Sequence, residues 1–450
     1  MGLPDNNITL KRVLSGRQLV FFGLSYLAPI GVFTQFGALA PLSHGMMTLA
    51  YIAATVVILL TAFSYAAFAS VYPMAGSAYT YVQKSLNPSM GFITGWVMLL
   101  DYVFMPLLCI FLLGLFFNHA CPLLPVWAWM VISAVIICFI NIAGIELTVT
   151  VDIWTVLLQA GFSLLFLGVV AKLILAGGGA GTFFSAQALY NPPAFETQSF
   201  LAAVGTLTLA FLGFDAVTAL AEETIQPEKT VGQALITVCL VSGAFFMVES
   251  YFCQIAWPLA WQEIVDENTG FMEVARQLQA DYMESLYFWI GNLASLTCGI
   301  SAQAAASRIL LGMGRDGVLP RPIFAYIHPR WQTPVYNTLC ITFLTLFGAI
   351  WIDNLVDMMA MISFGALFGF AMVNIAVIVH FYWRGKQRSG YHTIRYLLCP
   401  LIGAFLCIYF LFYLGFQAKL LGIAWLGLGL LYLAVVTRGF RQAPPTLKLD

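Results

Sequence analysis

The chain has 450 residues, of which 61% are hydrophobic and only 9% are Asp, Glu, Lys or Arg, with a net charge of −1. Soluble domains run at roughly 45–50% apolar and about 25% charged, so 19 basic and 20 acidic residues cannot cover a soluble surface of this size. The composition excludes a cytosolic enzyme, a nucleic-acid binder and a secreted disulfide scaffold, and predicts an all-α polytopic membrane protein.

The first eighteen residues are polar and basic. The apolar run that follows is about 23 residues, too long for a signal-peptide core, and is read as a retained first span. A membrane-crossing helix needs about 20 mostly apolar residues. Twelve segments are expected to meet this: 19–41, 46–70, 90–117, 124–144, 150–176, 200–221, 233–257, 285–313, 335–352, 358–382, 395–415 and 421–437. The runs are long and continuous, whereas a membrane barrel shows short alternating ones. An even number of spans places both termini on one side. With the termini in the cytoplasm, sixteen of the nineteen Lys and Arg fall inside and only Lys172, Arg276 and Lys419 outside. That bias sets the expected orientation in an inner (plasma) membrane.

Six of the nine cysteines (Cys109, Cys138, Cys239, Cys298, Cys340, Cys407) lie in apolar runs and read as small buried residues. The five histidines show no metal spacing, and no nucleophile–base pair or phosphate loop stands out. No cofactor, metal or nucleic-acid partner is expected, and the lipid bilayer is the surrounding medium. The acidic loop 258–284, with Glu263, Asp266, Glu267, Glu273, Asp281 and Glu284, has a partly amphipathic pattern through Ile264, Phe271, Val274 and Leu278. It is expected either as a helix on the mouth or as a solvated loop.

Two spans are interrupted. The first reads Ala28-Pro29-Ile30-Gly31 at its middle, and the sixth reads Ala210-Phe211-Leu212-Gly213-Phe214-Asp215. Proline removes an intrahelical bond and glycine loosens the backbone. The breaks are five spans apart, in the first helix of each of two five-helix halves. Matched broken helices point to a transporter with inverted repeats and a midplane site; two ordinary kinks are the alternative.

Three acids fall within spans, Asp101, Asp215 and Glu249, without Lys or Arg at similar depth. A charge there costs roughly 2.5–3.5 kcal/mol on insertion scales, so the countercharge is a proton, a cation or a cationic substrate. Asp215 either caps the second half of its broken helix or contacts substrate. Asp101 either bonds a neighbouring helix or helps Asp215. Glu249 fits a structural role or a bound proton. At the inner ends of the sixth and eighth spans, Glu222 and Glu223 could pair with Arg308 and Arg315 as a cytoplasmic gate, or stay solvated.

Three stretches carry a resemblance. Tyr72-Pro73-Met74-Ala75-Gly76-Ser77-Ala78-Tyr79-Thr80-Tyr81 continues into Gly91–Trp96 and Leu100-Asp101-Tyr102. Phe211–Asp215 is followed by Ala221-Glu222-Glu223-Thr224 and Pro227-Glu228-Lys229. Ser307-Arg308 precedes Gly314–Pro320 and Thr333-Pro334. Together, in this order, they resemble the amino acid–polyamine–organocation permease superfamily over nearly the whole chain, and most closely its bacterial putrescine-importer group. The resemblance implies a five-plus-five inverted-repeat fold: repeats at 19–176 and 200–382, two additional helices at 395–437, and cytoplasmic segments 1–18 and 438–450. It also implies a substrate site between the broken helices, flanked by spans 3, 8 and 10, with Ala28, Pro29, Ile30, Gly31, Asp101, Tyr102, Ala210, Phe211, Gly213, Asp215 and Ala302. In that family a Gly-x-Gly at the first break holds a carboxylate, and Pro29-Ile30-Gly31 alters it. A lysine of the fifth span stands in for sodium in many relatives, and Gln159 takes its place here, leaving Asp101, Asp215 and Gln159 as coupling candidates, with a proton or sodium as the coupling ion.

The expected function is a secondary active importer of a cationic polyamine such as putrescine. A proton- or sodium-coupled amino acid permease, or an amino acid/amine exchanger, is the alternative. A sensor on the same scaffold and a channel are the rivals from other classes.

Overall fold

The computed structural model describes residues 10–264, 270–280, 282–351 and 355–445. The first nine residues, the last five with Lys448, and Asp266, Glu267 and Asp281 of the acidic loop lie outside these. Helices are the regular elements among the described residues, with one isolated bridge between Leu14 and Thr224. The first half runs α1 (Gly16–Leu27), α2 (Gly31–Leu42), α3 (Met47–Val71), α4 (Ser77–Ser85), α5 (Pro88–Ala120), α6 (Val126–Ala143) and α7 (Ile145–Leu175). The second runs α8 (Thr197–Thr208), α9 (Ala216–Ala219), α10 (Pro227–Ala256), α11 (Ala260–Glu263), α12 (Gly270–Gln277), α13 (Tyr282–Asp316), α14 (Arg321–Phe324), α15 (Val335–Trp351) and α16 (Leu355–Val377). α17 (Gly390–Thr393), α18 (Cys399–Tyr413) and α19 (Phe416–Val436) complete the chain.

This is a multi-pass membrane protein. Among the described residues nine helices are long and apolar enough to cross a membrane, and the bent pair α1–α2 makes ten. The other two expected spans are helices of a different kind. α15 has 17 residues. α13 has 35 residues but carries Asn292, Thr297, Ser301, Gln303, Ser307 and Arg308 along its buried length. Its polarity is matched by neighbouring protein rather than by lipid.

Burial separates centre from periphery. The apolar window of Met361–Arg384 is 78% buried, whereas that of α19 is 17% buried. α19 is held on α5 by a reciprocal clasp, with Trp96 Nε1 donating to the Trp425 carbonyl at 3.0 Å and Trp425 Nε1 to the Trp96 carbonyl at 2.8 Å. Both described ends sit at one face: Leu10 packs on Leu311 and Ile327, and the Tyr432 hydroxyl near the end of α19 donates to the Val318 carbonyl at 2.9 Å. We call this the terminal face.

Local sequence sets the ends that matter. α1 starts on a capping box, with the Ser15 N–H donating to Gln18 Oε1 at 2.9 Å and the Gln18 N–H to Ser15 Oγ. α7 starts at Ile145 after Gly144, five residues before the expected start, which carries Asp152 well inside the helix. The acidic loop forms α11 and α12, and α12 buries Phe271, Val274 and Leu278 as the amphipathic pattern required. Cys340 is half-buried rather than buried, and all nine cysteines are free.

Candidate functional site

The first break is complete. α1 and α2 meet at 46°. Ala28 closes α1 in the left-handed region at φ 45°, and Pro29 cannot continue the ladder. The backbone donors at the break are all accounted for: Pro29 has no N–H, the Ile30 N–H donates to Gln159 Oε1 at 3.2 Å, and the Gly31 N–H donates to the Ala28 carbonyl at 2.8 Å. A carboxylate docking here would find no free N–H among the three. Beside Gly31 the space is open, with nothing within 4 Å of where a Cβ would stand.

The second break spans 212–215. Leu212 is extended and Gly213 has φ 98°. A Cβ on Gly213 would lie 1.9 Å from the Tyr26 ring, so glycine is required by conformation and by the close approach of α1. Asp215 stands at the N-cap position of α9, yet its side chain makes no capping bond. Instead Asp215 Oδ2 accepts from the Tyr102 hydroxyl at 2.7 Å, and Ser77 lies beside the same carboxylate. Asp101, on α5, is fully buried with both carboxylate oxygens unpartnered. Gly365 of α16 lets that helix come close, since a Cβ there would be 2.8 Å from the Asp101 nitrogen. Tyr26 and Tyr65 lie within electrostatic reach of both acids and Tyr81 of Asp215; the Tyr26 and Tyr65 hydroxyls have no hydrogen-bond partner, and Tyr81 lies beside Thr218. Tyr26 meets Tyr102 edge-on at 6.4 Å between centroids, and Tyr65 meets Phe214 and Phe370 at 5.6 and 5.9 Å.

The structure therefore gathers Asp101, Tyr102, Gly213 and Asp215 with Tyr26. Phe211 is buried against Phe246, at 5.1 Å between centroids, and Ala210 is half-buried beside it. Ala302 is buried on α13 one turn beyond Cys298, whose thiol donates to the Tyr26 carbonyl at 3.0 Å. Sequence reasoning named Tyr102 but missed Tyr26, Tyr65 and Tyr81, which look like ordinary membrane aromatics until the fold brings them to the two acids.

It also missed Asp152. This acid is fully buried and ties three helices together: Ser25 of α1 donates to Oδ1 at 2.8 Å and Ser301 of α13 to Oδ2 at 3.1 Å. Gln159, expected as a coupling residue, sits two turns farther along α7 at the first break, with its Nε2 unpartnered. Counting i, i+7 from Gln159 would have found an acid on the same helix face.

At the terminal face the four expected gate residues pair. Arg308 grips Glu223 through Nε–Oε1 at 2.7 Å and Nη2–Oε2 at 3.3 Å, with both side chains 1% exposed. Arg308 is buried at this face, where Glu223, the Ala304 carbonyl and Ser307 receive its donors. Arg315 Nη1 pairs with Glu222 Oε2 at 2.6 Å, partly exposed, and Glu222 Oε1 accepts from the Ala75 N–H at 3.1 Å. The Val13 and Leu14 N–H groups donate to the Glu223 carbonyl, both at 2.9 Å. The segment before α1 is thus bonded to the segment after α9.

The amino acid permease family model matches residues 18–431. The chain belongs to that family. It is a transporter of amino acids or amines, not an enzyme. It is similar to the low-affinity putrescine importer PlaP of Escherichia coli (strain K12), at 33% identity over 441 residues, covering 98% of this chain and 97% of the relative. The methylthioribose transporter and the branched-chain amino acid permease BcaP of Bacillus subtilis (strain 168) are each 26% identical, covering 96% of this chain and 94% of theirs.

Proposed function

We propose that this permease imports a cationic polyamine such as putrescine by alternating access, with Asp215 and Asp101 receiving an ammonium group. The observation that carries the reading is the pair of buried acids, Asp101 with both oxygens unpartnered and Asp215 held by the Tyr102 hydroxyl, with tyrosines around them. Two buried carboxyls without a basic partner call for protons or a cation as countercharge, and aromatic rings line cation sites well. The first break supports the same reading: its N–H groups are taken by Gln159 and Ala28, so the site offers little to an α-carboxylate. The resemblance to the putrescine importer points the same way. Ala28, Pro29, Ile30, Gly31, Ala210, Phe211 and Ala302 form the surrounding wall in this proposal. The Glu222–Arg315 and Glu223–Arg308 pairs form the gate at the terminal face.

With the termini in the cytoplasm, as the basic residues suggest, the gate faces inward. A dication entering at roughly 150 mV, negative inside, gains about 7 kcal/mol, enough for accumulation before any ion is coupled. Asp152, which joins α1, α7 and α13, is the candidate for a coupled proton or sodium, beside Asp101 and Asp215. The test is uptake of labelled putrescine and labelled leucine into proteoliposomes under imposed voltage, pH and sodium gradients. Voltage-driven putrescine uptake with leucine excluded is expected. Leucine uptake with putrescine ignored would transfer the function to amino acid transport.

A further inference from the structure

Between Asp357 and Asp450 the sequence holds no Asp or Glu, while Arg384, Lys386, Arg388 and Arg395 fall within twelve residues. These four occupy the turn between α16 and α18. The helices on either side, Met361–Arg384 and Gly390–Tyr413, are each long and apolar enough to cross a membrane, so the turn stands where the chain leaves the hydrocarbon. It stands at the terminal face. Arg384 Nη1 donates to the Ser85 carbonyl at the end of α4 at 2.6 Å, and Gln83 of α4 donates to Asp316 at the end of α13 at 2.7 Å.

A basic bias alone is what the loops on one side of any membrane protein show. Elsewhere on this face the bases have acids beside them. Lys11 pairs with Glu146, Arg308 with Glu223 and Arg315 with Glu222, and Glu228 precedes Lys229. Among the described residues no salt bridge reaches Lys84 of α4 or any of the four bases of the turn.

The backbone of the turn is also unusual. Its two legs, Ile378–Arg384 and Ile394–Leu398, are π-helical, a rare conformation that recurs at functional sites. Phe381 and Tyr396 join the legs, stacked at 4.8 Å between centroids. Two guanidinium groups lie over tyrosine rings, Arg388 5.4 Å from the centre of Tyr382 and Arg395 5.3 Å from that of Tyr396. Such contacts orient a guanidinium and leave its charge in place. On the outside of the turn Trp383 and Tyr391 are 59% and 67% exposed, with Ile394 and Leu398 exposed beside them. A headgroup layer takes Trp and Tyr at this level, and the hydrocarbon below it takes Ile and Leu.

We infer that this turn is a binding site for the phosphate group of an anionic phospholipid in the leaflet at the terminal face, held by Lys386, Arg388 and Arg395 between the exposed rings of Trp383 and Tyr391. Arginine forks match phosphate oxygens in pairs, and a cluster of bases directly beyond a membrane helix is the pattern that anionic headgroups select. Arg384, committed to the Ser85 carbonyl, fixes the turn on α4. The inference rests on the chain crossing a bilayer, and depends neither on the substrate carried nor on which compartment the terminal face meets.

The experiment is native mass spectrometry of the full-length protein in detergent, incubated with phosphatidylglycerol or with phosphatidylcholine of the same acyl chains. The wild type should retain phosphatidylglycerol roughly tenfold better; equal retention would overturn the inference. Lys386→Gln, Arg388→Gln and Arg395→Gln combined remove three charges near the surface, each worth roughly fivefold. Phosphatidylglycerol affinity should then fall roughly 100-fold while phosphatidylcholine retention stays the same, and an unchanged phosphatidylglycerol affinity would overturn the inference. Arg12→Gln, Arg321→Gln and Arg330→Gln combined remove as much charge from exposed positions elsewhere on the same face. That control should bind as the wild type does; an equal loss would spread the effect over the whole face and overturn the assignment to the turn. Glycerol 3-phosphate at the lipid's concentration should leave the adduct in place, and displacement would overturn the choice of a lipid over a soluble phosphate. The comparison of the two lipids on the wild type decides the matter even if the triple variant of the turn fails to fold.

Discussion

Asp215→Asn tests the proposed function most directly. Asparagine keeps the shape and an oxygen for the Tyr102 hydroxyl, now 2.7 Å from Asp215 Oδ2, while removing one of two neighbouring carboxylates. The side chain makes no capping bond to α9, so helix stability should not fall for that reason. Loss of like-charge proximity to Asp101 should leave the unliganded protein at least as stable. For a bound ammonium, the change replaces a charge pair by a neutral hydrogen bond. Removing one partner of a buried pair costs about 3–5 kcal/mol, and Asp101 remains to compensate part of it. The expected loss is roughly 2–4 kcal/mol, or ~30- to ~1000-fold in Kd. Ligand-induced thermal stabilisation in detergent, titrated with putrescine, reads it. A putrescine Kd within about twofold of wild type (under ~0.5 kcal/mol,) would refute the assignment of Asp215 to the ammonium. A neutral amino acid that stabilises both proteins equally, with putrescine inert, would refute the substrate class as well.

Three further outcomes are expected. Gly31→Leu should give a folded protein that no longer binds, because the space beside Gly31 is open and a leucine would fill it; retained affinity in a well-folded variant would move the site elsewhere. Glu223→Gln strands the buried Arg308 and should destabilise the closed terminal face by about 3–5 kcal/mol, while Glu223→Met combined with Arg308→Met should lose less than either change alone; thermal melting of the wild type and these four variants checks it. Single cysteines at His119 should react with an impermeant reagent added to intact cells and those at Lys84 and Lys386 should not, the reverse pattern overturning the orientation with cytoplasmic termini.

The fold was legible because a bilayer imposes a length and a composition that any sequence can be scanned for. The breaks were legible for a related reason: Pro29 and Gly213 violate helix rules that the rest of each span obeys, and a violation in a membrane needs protein to absorb it. The central acids stood out through cost alone. Asp152 escaped because the expected start of its helix, at 150, left it at a span end, where an acid is cheap. The helix begins at Ile145 and the acid is buried. Arg308 was read at the inner end of its span and is buried there, because the segment around Glu223 covers that end. Partners across helices were beyond reach: nothing in the sequence says that Gln159 takes the Ile30 N–H or that Ser25 and Ser301 converge on one carboxylate.

The proposed site and the proposed gate share one short piece of backbone. Asp215 opens the segment and Glu223 closes it, with only α9 and a single 3-10 turn between them. One end carries the carboxyl that the proposal pairs with an ammonium; the other carries a charge neutralised by Arg308. Gly213 at its start is locked against Tyr26 of α1, and Thr224 at its end bridges to Leu14 ahead of α1. α1 and this segment are thus joined at both ends, while α2 and α8 beyond the breaks are free of those joints. Any change that draws Asp215 toward a bound ammonium moves the segment as a unit. The motion must then either strain the Arg308–Glu223 pair or carry α1 with it. A ligand moves the equilibrium between such arrangements only by its difference in affinity for them, and the Asp215 carboxylate, on the moving segment rather than on the α5 scaffold with Asp101, is placed to supply that difference.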